Sequence, residues 1–222
     1  MAASETLPLG GEPMQLLADC ALYWPRRERL LIADLHLGKG DAFRSAGIAL
    51  PRGGTEDDLA RLDAMLADTG ASELMVLGDF LHGAAGDRPW RHRWQAWREA
   101  RPALRVAVLA GNHDRALGGA GLDIELVGPV LDDGPFQLRH EPAISDGRHV
   151  LCGHLHPVLP LPGLPGRWPV FWLGATMTVL PAYSRFTGGV VPAPAPGDRF
   201  RACAHGELVA VQAAAIGRQP RP

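Results

Sequence analysis

Leu30-Leu31-Ile32-Ala33-Asp34-Leu35-His36 reads as a buried strand that runs out into a carboxylate and an imidazole. A short unbroken apolar run of this kind fits a strand covered on both faces. The same transition recurs three times. Leu74–Leu77 runs into Gly78-Asp79-Phe80-Leu81-His82-Gly83, Val106–Ala110 into Gly111-Asn112-His113-Asp114, and Val150–Cys152 into Gly153-His154-Leu155-His156. In an open α/β sheet the carboxyl ends of neighbouring strands converge on one crevice. Stretches far apart in sequence can therefore deliver carboxylates, imidazoles and an amide to one point. Such a mixed oxygen and nitrogen set suits two adjacent divalent ions, and the pattern predicts a binuclear metallohydrolase.

Working outward, Met14 to Ala33 is strand-rich and broken at Trp24-Pro25-Arg26-Arg27. A loop is expected from Gly38 to Gly54, followed by a helix with Thr55 as N-cap. Glu56, Asp57 and Asp58 complement the positive end of that helix, Leu59, Leu62, Met65 and Leu66 form its apolar stripe, and Gly70 stops it. A second helix is expected to begin near Asp87, with Pro89 in its first turn, and to end before Pro102. The rest turns β-rich, with strands expected at Phe136–Leu138, His149–Cys152, Val170–Leu173, Met177–Leu180, Phe200–Ala202 and Leu208–Val211. Pro160–Gly166 and Pro192–Gly197 read as loops. Helices mixed with strands first, and strands alone afterwards, predict an α/β fold: a four-layered α/β/β/α sandwich of two mixed sheets flanked by helices. Residues 1–216 are expected to form a single domain, with 217–222 as a flexible tail.

Composition fits a soluble enzyme. A net charge of −2 argues against a surface coated in positive charge, although a local basic stripe would suffice for nucleic acid. Three widely spaced cysteines, Cys20, Cys152 and Cys203, read as reduced and buried, hence a cytoplasmic protein. Cys152 adjoins the histidine pair, but with no second cysteine nearby a thiolate zinc site is not expected. The longest uncharged run, Trp168 to Ser184, is broken by Pro169, Gly174 and Pro181 and falls short of the roughly 20 residues a spanning helix needs, so no membrane role is expected.

The chemistry can be assigned residue by residue. Asp34 and His36, two apart on an extended segment, project to one face and can chelate one ion together. Asp79 is the natural bridge, because a carboxylate can span two cations about 3.5–4 Å apart. Asn112 offers a carbonyl oxygen to the second ion, His154 and His156 can each take a different ion, and His140 would complete the second site. Two such ions polarise phosphoryl oxygens and acidify a bridging water to hydroxide at neutral pH. His113 stands next to a ligand and is placed to protonate the leaving oxygen as general acid, with Asp114 holding its tautomer.

Taken in order, D-x-H, G-D-x-x-H-G, G-N-H-D, a single His and G-H-x-H resemble the calcineurin-like metallophosphoesterase superfamily. That resemblance implies the four-layered sandwich, two metals and hydrolysis of phosphate esters. It assigns Asp34, His36, Asp79 and His156 to one ion, and Asp79, Asn112, His140 and His154 to the other. His82 departs from the phosphoprotein phosphatases, which carry a second Asp there. It resembles the form found in SbcD-type nucleases, where this His helps to position the substrate phosphate, and so favours phosphodiester cleavage. A narrower likeness to the DNA-ligase-associated metallophosphoesterases, the PdeM family, covers Ala33–Lys39, Phe43-Arg44, Gly47 with Pro51, Leu77–His82, His140-Glu141-Pro142, Leu180–Ala182 and Phe186–Gly189. It implies a DNA endonuclease or phosphodiesterase acting in repair alongside a DNA ligase, an Lhr-type helicase and an exonuclease. It also implies a preference for manganese, with iron or zinc as alternatives.

Lys39, the only lysine, and Arg44 lie just past the first motif and are expected to contact substrate phosphate. Trp90, Trp94 and Trp97 fall at i, i+4 and i+7, one helical face, so core packing is the better reading than a nucleic-acid surface, with Arg91, Arg98 and Arg101 in solvent. Two other functions fit the same residues less well. One is hydrolysis of a small molecule, such as a cyclic nucleotide or a nucleotide-lipid diphosphate. The other is a non-catalytic protein-binding scaffold, against which the intact ligand set speaks.

Overall fold

The chain opens as an antiparallel meander of β1 (Ser4–Leu9), β2 (Glu12–Leu17) and β3 (Ala21–Trp24), which passes through a 3-10 turn at Pro25–Arg27 into β4 (Arg29–Ile32). The computed structural model describes residues 3–48, 54–83, 88–112, 114, 117–185 and 187–212. β1 was not expected, because Pro8 interrupts its alternation; at the edge of a sheet the missing N–H costs nothing. From β4 the chain winds through α1 (Lys39–Ser45), α2 (Thr55–Thr69), β5 (Glu73–Leu77), α3 (Pro89–Glu99), β6 (Arg105–Leu109) and the two-residue β7 (Glu125–Leu126). β4 to β7 are parallel and lie side by side, completing a seven-stranded mixed sheet in the order β1 to β7.

A second, eight-stranded mixed sheet follows: β8 (Val130–Asp133), β9 (Phe136–Arg139), β10 (His149–Cys152), β11 (Val158–Leu161), β12 (Leu164–Leu173), β13 (Met177–Val179), β14 (Arg199–Ala204) and β15 (Glu207–Val211). Its order is β15-β14-β12-β13-β10-β9-β8, with β11 paired to β12. The two sheets share one core. Leu30, Leu31, Met75 and Val108 of the first belong to the same buried cluster as Phe136, Leu151 and Phe171 of the second. Trp24 meets the Phe136 ring edge-on at 4.9 Å between centroids. Each such fully buried side chain contributes roughly 1.5–3 kcal/mol. A parallel bridge between Ala33 and Ala182 joins the sheets beside the functional loops.

The expected two mixed sheets with helices outside are present. α2 and α3 are the crossovers of the parallel β4-β5-β6 unit and pack on its outer face. Over the second sheet, among the described residues, the covering layer is the β11–β12 hairpin, whose Leu159 and Leu161 close on Val170, Phe200 and Ala202. The Pro/Gly stretch 160–166 is therefore the tip of a hairpin rather than a loop. Local expectations need further correction. The 38–54 segment carries the short α1, despite Gly40, because Asp41 is fastened twice: it pairs with Arg44 (2.5 Å) and accepts the N–H of Trp90 (3.0 Å). Gly54, not Thr55, is the N-cap of α2, while Gly70 ends it in the left-handed region as expected. Trp90, Trp94 and Trp97 are buried in the core, and Arg98 is buried with them, its guanidinium held by the Asp123 carboxylate at 2.8 Å. Asp87, Pro51, Phe186, His113 and the 217–222 tail lie outside the described residues.

Candidate metal centre

Beyond β4 and β5 the two loops stay zipped together. The N–H groups of Asp34, His36 and Leu37 donate to the carbonyls of Gly78 (3.2 Å), Asp79 (2.8 Å) and Phe80 (2.8 Å). The loop after β10 is tied in by the His154 N–H, which donates to the Asp34 carboxylate (3.0 Å), and by the Gly153 N–H, which donates to the His140 carbonyl (3.0 Å). Asp114 fastens the second loop to the third. Its carboxylate accepts the N–H groups of Phe80 (3.1 Å), Leu81 (2.9 Å) and Gly111 (2.8 Å), while burial raises its pKa against the pull of those bonds.

The backbone through these loops is not the extended chain expected. Asp34 (φ 56°), His36 (48°), Asp79 (48°), His154 (70°) and His156 (47°) are all left-handed. That region costs a residue with a Cβ about 1–2 kcal/mol and persists only where the surroundings enforce it. Two left-handed residues flanking a fully buried Leu35 bring Asp34 and His36 to one side while Leu35 enters the core. The shared face is reached, but by a tight turn rather than by strand alternation. Gly78 and Gly111 explain themselves in the same place. A Cβ on Gly78 would overlap the His140 ring, and one on Gly111 would overlap the Asp79 backbone and carboxylate.

Two donor groups result. The ligand atoms of Asp34, His36 and His156 lie within 4.8 Å of one another, as do those of Asp34, Asp79 and His140. Asp34 is common to both. Asp79 lies between them, with Oδ2 4.0 Å from His36 Nε2 and Oδ1 3.5 Å from His140 Nε2, one oxygen toward each group. His154 Nδ1 approaches His140 Nε2 at 3.1 Å. Asn112 is exposed, and its amide N–H donates to Glu141 (2.9 Å), which fixes the carbonyl oxygen as the remaining ligand atom.

This donor set fits divalent cations. His140 Nδ1–H donates to the Leu77 carbonyl (3.0 Å) and His156 Nδ1–H to the Gly188 carbonyl (3.2 Å), so in each ring Nε2 is left as the atom that would take either a cation or a proton shared with the carboxylates. Metal-ligating histidines are oriented in this way. Asp34 and Asp79 are buried carboxylates, costly unless neutralised, and imidazole with carboxylate is a borderline set suited to manganese, iron or zinc. Burial pulls the His156 pKa down, but the hydrogen bond and charge of Asp34 more than reverse this and leave it raised. Burial drives the Cys152 thiol up to about 12, so it is no ligand.

The other sequence candidates fall around this centre. His82 faces His36, their ring centroids 5.8 Å apart. Lys39 is half-buried at the start of α1. Burial lowers its pKa, while the charges of Asp34 and Asp79 oppose the shift. Arg44 is turned toward Asp41 instead. Glu141 and the Leu77 and Gly188 carbonyls were not anticipated. Glu141 at least follows His140 in sequence, whereas a carbonyl leaves no trace in the residue types.

Residues 29–169, more than half of the chain, match the calcineurin-like phosphoesterase family. No curated protein matches the chain. Among solved structures, the Pseudomonas putida nuclease MPE is 37% identical, with 94% of this chain and 100% of that one covered at a TM-score of 0.82. Yfce, a phosphoesterase from E. coli, is 16% identical over 78% of this chain and 86% of its own, with a TM-score of 0.43. The protein of unknown function AQ665 from Aquifex aeolicus is 17% identical over 58% and 78%, with a TM-score of 0.41.

Proposed function

This chain belongs to the calcineurin-like phosphoesterase family, and within it we propose a manganese-dependent phosphodiesterase that cuts DNA strands. The observation that carries the reading is the pair of Asp/His donor groups sharing Asp34, with Asp79 offering one oxygen toward each. The likeness to a nuclease over 94% of the chain supports the substrate class. The narrower motif resemblance supports a place in DNA repair, in the cytoplasm, beside a DNA ligase, an Lhr-type helicase and an exonuclease.

Asp34, His36, Asp79 and His156 would hold one ion, and Asp79, Asn112, His140 and His154 the other, with Asp34 contributing its charge to both. When bound, the ions supply Lewis-acid charge at the phosphoryl oxygens and acidify a water. The chain's own groups do the rest. His82 and Lys39 bind the non-bridging oxygens, where negative charge builds in the transition state. His113 delivers a proton to the departing sugar oxygen. Asp114, whose carboxylate accepts three main-chain N–H groups, keeps the second and third loops in register.

A panel of bis-aryl phosphodiester, aryl monoester, cyclic nucleotide and DNA, each with manganese, iron or zinc, tests the reading. Faster turnover of the aryl diester than of the monoester, together with cleavage of DNA, is expected. Strong preference for the monoester would replace it with a phosphatase, and cleavage of the cyclic nucleotide alone with a small-molecule enzyme.

A further inference from the structure

A cavity of about 660 Å³ borders the metal centre, and of the expected ligands His156 lines it. Arg185 and Thr187 also line it, with Arg167 and Trp168 of β12 and His205 of the β14–β15 turn, and Asp19 is the carboxylate in its wall. Its volume lies in the ordinary range for a ligand-binding cleft. Its charge is unevenly committed. Arg61, also in the wall, is spent on Asp58 (2.7 Å) and the Tyr183 carbonyl (2.6 Å). Arg167 and Arg185 are exposed, and among the described residues neither forms an ion pair. Trp168 and His205 sit together in the same wall, ring centroids 4.6 Å apart.

The position of the cavity matters as much as its lining. The His36 ring meets both the His156 ring (5.4 Å) and the His82 ring (5.8 Å), centroid to centroid. On the His82 side a second cavity of about 310 Å³ is bounded by Arg88 and Trp90. The metal centre thus borders two cavities, one through His156 and one through His82, each with arginine in its wall and one carboxylate, Asp19 or Asp41. A small diester would occupy only the middle, whereas a strand running across the centre would need both sides.

We infer that the large cavity is the subsite for the nucleotide next to the bond being cut, in an unpaired DNA strand. Arg185 and Arg167 take that nucleotide's phosphate, and Trp168 with His205 form the wall against its base. Guanidinium groups for the backbone and aromatic rings for the bases are how single strands are held without sequence choice. A duplex would keep the base stacked and out of the recess. The inference rests on the phosphodiesterase reading above and deepens it.

The test uses Arg185→Ala, Arg167→Ala and the double variant in the full chain. Both residues are exposed, so the variants should fold. Binding of a fluorescein-labelled oligo-dT 12-mer is read by anisotropy in EDTA, and turnover of bis(p-nitrophenyl) phosphate is read with manganese. Each single variant should weaken oligonucleotide binding roughly tenfold. Each should also make the log affinity versus log salt plot shallower by about 0.7, with turnover of the small diester unchanged. Unchanged oligonucleotide binding in the double variant would overturn the subsite while leaving the phosphodiesterase reading intact. Equal loss on the small diester would also overturn it, making the arginines part of the metal centre's own framework. Duplex binding as tight as single-strand binding would overturn the unpaired strand, and competition by free dTMP as strong as by the oligonucleotide would make this a mononucleotide site. Because binding is read without metal, failure of the protein to cut any diester would sink the enzymatic reading and still leave the cavity tested.

Discussion

Replacing Asp34 with Asn should make the metal-free protein at least as stable as the parent and the metal-loaded protein much less so. Asp34 is fully buried, and its carboxylate belongs to both donor groups. Asn has nearly the same shape and tolerates the left-handed backbone that Asp34 adopts at φ 56°. Its amide oxygen can still accept the His154 N–H. What disappears is a buried charge, so in EDTA the variant should gain about 1 kcal/mol, or ~2–4 °C in Tm for a domain of this size. The comparison belongs at pH 8. The attraction between Asp34 and His156 raises the His156 pKa above 6.5, so its contribution is fully present below that value and lost as pH rises through the raised one. The higher the pH of the comparison, the less of that contribution there is to lose. With manganese at a hundred times its Kd, each occupied site stabilises by about 2.7 kcal/mol. Two sites in the parent should therefore add roughly 10–20 °C. In Asp34→Asn less than half of that gain should remain, because one site loses a ligand and the other loses the carboxylate charge beside it. Thermal denaturation at matched free manganese, with elemental analysis of the same samples, measures both arms. An undiminished metal-dependent gain would refute the shared role of Asp34. A Tm in EDTA lower by more than about 5 °C would mean that the carboxylate is a structural clamp.

Gly78→Ala places a methyl group against the His140 ring at φ +79°; about 2–4 kcal/mol of stability should be lost in EDTA, with second-site metal lost as well, as denaturant unfolding and metal analysis would report. His82→Ala should slow aryl diester turnover by about 10–100-fold with both metals retained, and parental turnover would remove His82 from the phosphate. Manganese affinity should fall as pH drops through the raised pKa of His156, since the proton competes for the ligand nitrogen, and in Asp34→Asn that fall should move to lower pH; calorimetric titration across pH 6–8.5 reads it. His113→Ala should lose about 10²–10⁴-fold on DNA but far less on an activated aryl diester, whose leaving group needs no proton; equal losses would mean that His113 binds phosphate or metal.

Much of this architecture was legible because its signals are local and redundant. The parallel strands β4, β5 and β6 are buried on both faces, and such strands must be apolar throughout, so the residues that break the run announce where the strand ends. α2 was legible for the same reason, with acids at its start, a 3.6-residue stripe and a glycine at its stop. Elements held by distant contacts were not. α1 contains a glycine in its first turn and depends on Asp41 reaching the N-terminus of α3, a contact nearly fifty residues away in the chain. β11 carries Pro160 and β1 carries Pro8, residues that argue against a strand unless its edge position is known. Arg98 looked like a solvent-facing residue because nothing nearby in sequence marks Asp123 as its partner.

The metal centre divides along the same line. Residue types gave the donors, since only carboxylate, imidazole and amide groups can fill such a site, and their spacing gave the loops. The geometry depends on something no spacing expresses. Five of the seven expected ligands occupy left-handed backbone, a conformation each would abandon if its loop were free. What holds them is a lattice of hydrogen bonds from main-chain N–H groups: Asp34 to the Gly78 carbonyl, His36 to the Asp79 carbonyl, His154 to the Asp34 carboxylate, and three N–H groups at once to the Asp114 carboxylate. A conformational cost of this kind persists at a site where the surrounding fold over-determines the backbone. The glycines of G-D, G-N and G-H have a related cause. They precede the ligands because the next loop's ring or carboxylate already lies where their side chain would be, so the donors can crowd together only if the residues behind them have no Cβ. The motif is therefore a record of close packing as much as of chemistry. A variant that restores bulk behind a ligand should damage the centre as surely as one that removes the ligand itself.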